Sequence, residues 1–163
     1  MTLRLQDLYL NHPKLRGHPT DYAKYGALAL QRAGHIPPVS TDVEHDGQEA
    51  ATQIEWPLQD MAGLDATDRN RVTEDGAEAI ALAYVHLKAA WVVKRRLNQG
   101  ERADWLLINS TGCLAMEVSG TLTDDPQGRL AVKRRQVSQC SLAAERLAVV
   151  VAFNSPLILA GTP

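Results

Sequence analysis

Asp104 and Glu117 are the two residues whose type and spacing suggest chemistry in this chain. Asp104 opens one apolar stretch, Ala103 to Ile108, and Glu117 sits near the end of the next, Cys113-Leu-Ala-Met-Glu-Val-Ser-Gly-Thr121. Two carboxylates on neighbouring strands can converge on one hard cation, because carboxylate oxygens suit Mg²⁺ or Mn²⁺. A cation held in this way stabilises charge developing on a phosphate oxygen and lowers the pKa of a bound water. A lysine two residues after the second acid would complete the set. Ser119 stands there instead, offering a hydrogen bond without the charge. Each acid also has a plainer reading. Asp104 follows a turn and would serve to close it. Glu117 lies between Met116 and Val118, whose side chains take the opposite face of a strand, so it needs a partner or a metal unless that strand is an exposed edge.

The elements that must position these acids follow from periodicity. Thr20 offers an N-cap for a helix over Asp21 to Ala33, ended by Gly34. Val39, Thr41 and Val43 alternate with polar residues, Asp46-Gly47 is a turn signal, and Thr52, Ile54 and Trp56 alternate again, which predicts a β-hairpin. Residues 57 to 72 read as a polar connector. Thr73 reads as the N-cap of a helix over Glu74 to Lys88, with Ala77, Ile80, Ala81, Tyr84 and Val85 at helical spacing. Three strands follow, Trp91 to Leu97, Ala103 to Ile108 and Cys113 to Val118. Their short turns make them an antiparallel meander. Arg129 to Cys140 reads as an amphipathic helix, and Leu147 to Phe153 as a buried strand. The fold class is α/β, with one central mixed sheet flanked by helices.

This order, with acids at these positions, resembles the restriction-endonuclease-like superfamily, the PD-(D/E)xK nucleases, whose core runs αβββαβ. The string Ala103-Asp-Trp-Leu-Leu107 followed by Met116-Glu-Val-Ser-Gly-Thr121 is also similar to a set of bacterial proteins with a Glu-Val-Ser-Gly motif. The resemblance covers about residues 73 to 155. It implies a core over 73–163; residues 1–72, with their helix and β-hairpin, match nothing in the family and read as an N-terminal extension packed on that core. It implies Mg²⁺- or Mn²⁺-dependent hydrolysis of phosphodiesters in DNA, with Asp104 and Glu117 as metal ligands and Glu78 as the assisting helix acid, Glu74 behind it. The chain departs from the pattern at Ala103, where a proline is common, and at Ser119. If the lysine has migrated, Lys133 is its best replacement, because the helix that carries it packs beside the third core strand in the family. The alternative is a catalytically inactive module on the same fold that binds a nucleic acid, a protein partner or a second copy of the chain. A plain α/β interaction domain unrelated to nucleases is a third reading.

With a net charge of −2 the chain lacks a global basic field. Contact with DNA phosphates would fall to Lys133, Arg134 and Arg135 on one side of their helix and to Arg96 in Lys94-Arg95-Arg96, unless these are solvated faces. Strand alternation places Lys94 and Arg96 on one face and Arg95 on the other. His12, His18, His35 and His45 lie beside Pro, Gly or turn residues and read as surface histidines. His86 reads as a helix-surface residue within reach of the site mouth. Cys113 and Cys140 lack zinc spacing and read as buried free thiols, consistent with a reducing cytoplasm. The chain shows neither an apolar leader nor a membrane-length apolar run, so a soluble cytoplasmic protein is expected.

Overall fold

Both acids are carried by one mixed sheet of eight strands. The computed structural model describes all residues except Gly63, Asp65 and Ala66, which belong to the connector expected over 57–72 and lie outside the described residues. The strands are β1 (Thr2–Arg4), β2 (Val39–His45), β3 (Gln48–Glu55), β4 (Val92–Arg96), β5 (Trp105–Ile108), β6 (Cys113–Thr121), β7 (Glu145–Ala152) and β8 (Leu157–Gly161). The helices are α1 (Leu8–Asn11), α2 (Tyr22–Arg32), α3 (Arg69–Ala89) and α4 (Pro126–Val137), with short 3₁₀ turns at Leu5–Asp7 and Pro13–Leu15. Across the sheet the order is β1-β3-β2-β8-β7-β6-β5-β4.

From α3 onward the chain runs helix, three antiparallel strands, helix and strand, and β7 lies parallel to β6. The hairpin β2–β3 closes on Asp46 and Gly47, both at positive φ as such a turn requires. It continues the same sheet, because β2 pairs in parallel with β8. A boundary at 72/73 therefore falls inside α3, at the end of its first turn, and the sheet includes strands from both sides of it.

The apolar run Leu147 to Ala152 is central because both of its faces are covered. Leu147, Val149 and Val151 pack toward α2 and α3, while Ala148 and Val150 pack toward α4. Strand β6 divides in the same way, with Leu114, Met116 and Val118 on the α3 side and Ala115 on the α4 side. By alternation Glu117 and Ser119 share the α4 side.

Two helix starts differ from those expected at Thr20 and Thr73. Asp21 caps α2 by accepting the Lys24 amide at 3.2 Å, and Asp68 caps α3 by accepting the amides of Asn70 at 2.8 Å and Arg71 at 3.3 Å. An aspartate is the better cap in each competition. Thr73 then lies inside α3, bonded through Oγ1 to the Arg69 carbonyl at 2.9 Å, and Glu74 is released from the first turn to face β6. The backbone of α3 lies close to α2 at Gly76, where a Cβ would come within 2.9 Å of Ala29 Cβ and of the Tyr25 carbonyl oxygen. It lies close to β6 at Gly120, where a Cβ would overlap the Thr73 carbonyl and stand 2.8 Å from the Thr73 methyl. Gly120 therefore seats the start of α3 on the sheet.

The histidines are more embedded than their turn residues suggest. His12 is fully buried: its Nδ1 accepts the Val93 amide at 3.2 Å, so its Nε2–H donates to the Leu82 carbonyl at 3.1 Å. It thereby satisfies an outward amide of the edge strand β4. His35 reaches the Phe153 carbonyl at 2.7 Å, and His45 Nδ1 pairs with the Tyr84 hydroxyl at 2.6 Å. His86 sits at the far end of α3, bonded to the Trp91 carbonyl. It lies eight residues along α3 from Glu78, about 12 Å of rise, and is not among the residues lining the cleft that Asp104 and Glu117 share. Cys140 is buried and Cys113 half-buried, both as free thiols. No helix among the described residues is long and apolar enough to cross a membrane.

Candidate active site

Asp104 and Glu117 stand opposite one another one step beyond the last rung of the β5–β6 ladder. Trp105 pairs with Met116, and the Asp104 amide donates to the Met116 carbonyl at 2.9 Å. One step further along this register places Asp104 opposite Glu117. Strand β5 begins only at Trp105, and the Asp104 carboxylate just before it accepts the Val118 amide at 2.8 Å. Asp104 therefore has a structural duty of its own, completing a ladder that lacks a backbone partner at that point.

Glu117 is buried, with 2% of its surface exposed. Lys133 Nζ donates to its Oε1 at 2.6 Å. Its Oε2 is also buried and has no hydrogen-bond partner among the described residues. Burial pushes the Glu117 carboxyl above the usual range, the Asp104 charge adds to that, and Lys133 opposes it. The lysine reaches Glu117 because α4 lies along β6. Four residues of helix rise about 6 Å and two residues of strand about 6.6 Å, so Arg129 and Lys133 on α4 stand over Ser119 and Glu117 on β6. Arg129 Nη1 donates to Ser119 Oγ at 2.8 Å and to the Gly120 carbonyl at 3.1 Å. Ser119 Oγ also lies 3.3 Å from both Glu74 oxygens, and Glu74 accepts the Gly120 amide at 3.0 Å. The position where a lysine was wanted is thus a serine bridging an arginine and a glutamate.

Glu78 is brought to a different partner. It is buried on α3, and its Oε2 accepts from Arg96 Nη1 and from the Trp105 indole at 3.1 Å. Burial pushes its carboxyl up to about 7, against the pull of Arg96. The Arg96 guanidinium lies 4.6 Å over the Trp105 ring, and its Nη2 stands 3.7 Å from Asp104 Oδ1. Arg96 therefore links Glu78 to Asp104. Its placement follows from a β-bulge between Val93 and Arg95, which pairs Arg96 with Trp105 and Arg95 with Leu106. The bulge removes the simple alternation expected for Lys94 and Arg96.

The basic run on α4 is not on one side. Consecutive helical residues are about 100° apart. Lys133 points to Glu117, Arg134 lies along β8 beside Gly161, and Arg135 is exposed. Val132 is also exposed, so α4 is less amphipathic than its apolar residues suggest.

Arg96, Arg102, Asp104, Glu117 and Gln136 line one open cleft of about 420 Å³. Among the described residues, no three of His, Cys, Asp and Glu form a group that could hold a metal, so a cation here would rest on the Asp104–Glu117 pair and on non-protein ligands. The buried, unpartnered Glu117 Oε2 is the atom such a cation would satisfy. Sequence reasoning missed Arg129, whose signal was its spacing four residues before Lys133, and Arg102, which carries none beyond its charge in a turn. Comparisons of the chain with family models, with curated proteins and with solved structures gave no match.

Proposed function

We propose that this chain is a nuclease-fold protein that binds DNA phosphodiesters and hydrolyses them with a divalent cation at Asp104 and Glu117. The element order α3-β4-β5-β6-α4-β7 supports this reading. The observation that carries it is Glu117, which gives one oxygen to Lys133 and leaves the other buried and unpartnered in a cleft shared with Asp104. Asp104 and Glu117 would hold Mg²⁺ or Mn²⁺, which supplies charge stabilisation to a phosphoryl oxygen and acidifies a bound water. Lys133 takes the part of the displaced lysine, keeping one ammonium against the second acid. Ser119 takes no cationic part, since its hydroxyl is bonded to Arg129 and Glu74.

A second reading, a binding module without catalysis, draws on Arg96 and Lys133. These cations already oppose the acids through the Glu78–Arg96–Asp104 and Glu117–Lys133 contacts. Such a module would take DNA, a protein partner or a second copy of the chain. Nicking of a supercoiled plasmid in Mg²⁺ or Mn²⁺ separates the two. Metal-dependent nicking that is lost in Glu117→Gln is the expected result. Salt-sensitive DNA binding without nicking favours the module, and nicking that survives Glu117→Gln places the chemistry elsewhere.

A further inference from the structure

We infer that the β4–β5 loop, residues 97 to 104, is a strand-binding rim on which Arg102 takes a phosphate neighbouring the one at the acid pair; this rests on the proposed function. Of the cations lining the cleft, Arg96 is tied to Glu78 and Asp104, while Lys133 above it is tied to Glu117. Arg102 also lines the cleft, is exposed, and has no carboxylate or hydrogen-bond partner among the described residues. A guanidinium presents several donors in a planar fork suited to phosphate oxygens.

The loop is built to hold that residue in place. Glu101 takes both terminal nitrogens of Arg95, at 2.8 and 3.0 Å, and also accepts the Asn98 amide. The base of the loop is closed by the Leu97 amide on the Asp104 carbonyl at 2.8 Å. Arg102 itself has φ +67°, a left-handed backbone that side chains other than glycine seldom adopt. Strain of this kind clusters at ligand clamps. Here it sets an unpaired guanidinium two residues before Asp104. The carboxamides of Asn98, Gln99 and Gln136 line the same cleft without hydrogen-bond partners among the described residues. Carboxamides both donate and accept, as base edges and sugar hydroxyls require. An acid pair, an unpaired arginine and three open carboxamides in one cleft match a polynucleotide better than a lone inorganic phosphate.

The test is binding of a fluorescein-labelled DNA duplex, followed by anisotropy in Ca²⁺ across a salt series. Arg102→Gly suits it, because glycine accepts the left-handed backbone and the fold should survive. Affinity should fall about tenfold, the size of a lost charged hydrogen bond, and the slope of log affinity against log salt should shrink by about 0.9. Arg102→Lys should restore most of the slope. DNA binding that is lost in an Asp104→Asn, Glu117→Gln variant but is indifferent to Arg102→Gly refutes the rim and keeps the proposed function. Absence of DNA binding by the unaltered chain refutes both.

Discussion

Replacing Lys133 by methionine tests the pairing on which the site is built. The substitution keeps an unbranched apolar stem of similar reach, with a thioether sulfur for one methylene, and removes the ammonium. At an effective dielectric of about 20, charges 2.6 Å apart attract by about 6 kcal/mol. Desolvation offsets part of that, and breaking a buried pair costs about 3–5 kcal/mol. Lys133 keeps 22% of its side chain exposed, so the lower end, about 3 kcal/mol, is expected. For 163 residues, with about 2.1 cal/mol/K of unfolding entropy per residue, this lowers Tm by about 9 °C. The pH dependence carries the sign. Burial raises the Glu117 carboxyl in the folded state, and removing Lys133 raises it further. A protonated carboxyl needs no cation, so the loss should be small below the ordinary carboxylate value near 4.5. It should grow as pH rises through the raised folded value. Urea denaturation of both proteins from pH 4 to 8 measures it. A loss under about 0.5 kcal/mol, or one independent of pH, would refute the buried pair, since exposed pairs contribute at about that level.

Three further outcomes follow from the same structure. Burial holds His12 at about 4 rather than 6.5, so the neutral ring is the native form. Its contribution is complete above 6.5 and lost as pH falls toward 4. The depression corresponds to about 3 kcal/mol, and chemical denaturation of the native chain and His12→Gln should show that slope only in the former. Gly120→Ala drives a methyl into the Thr73 backbone and should cost about 3 kcal/mol, the upper range of overpacking, read as a lowered Tm. Ser119→Lys supplies the lysine that the resemblance would place there but sets a second cation beside Arg129 in a buried position. It should destabilise by about 1–3 kcal/mol and leave plasmid nicking no faster than in the native chain.

The local elements were legible because their signals lie within a dozen residues. Periodicity marked α2 and α3, Asp46-Gly47 marked the hairpin, and short turns marked the meander that sets Asp104 against Glu117. Lys133 was placed on Glu117's side through the resemblance, and spacing along α4 and β6 explains why it arrives there. Pairings between distant segments were not legible. The eight-stranded sheet depends on β2 lying parallel to β8, more than 100 residues apart, and β8 itself is five apolar residues after a Pro-containing turn. His12 looked like a turn residue because its partners, Leu82 and Val93, are 70 and 81 positions away. The Glu78–Arg96 contact depended on a bulge that alternation cannot announce. The basic run on α4 was misread for a local reason, since three consecutive helical residues cannot share a side.

The central claim, that Asp104 and Glu117 together hold a divalent cation, is tested most directly by titrating the native chain with Mn²⁺ and following free metal by electron paramagnetic resonance. One saturable site per chain is predicted. It should be competed by Mg²⁺ and lost in the Asp104→Asn, Glu117→Gln double variant at unchanged circular dichroism. Absence of a saturable site in the native chain, or the same site in the double variant, would contradict the claim.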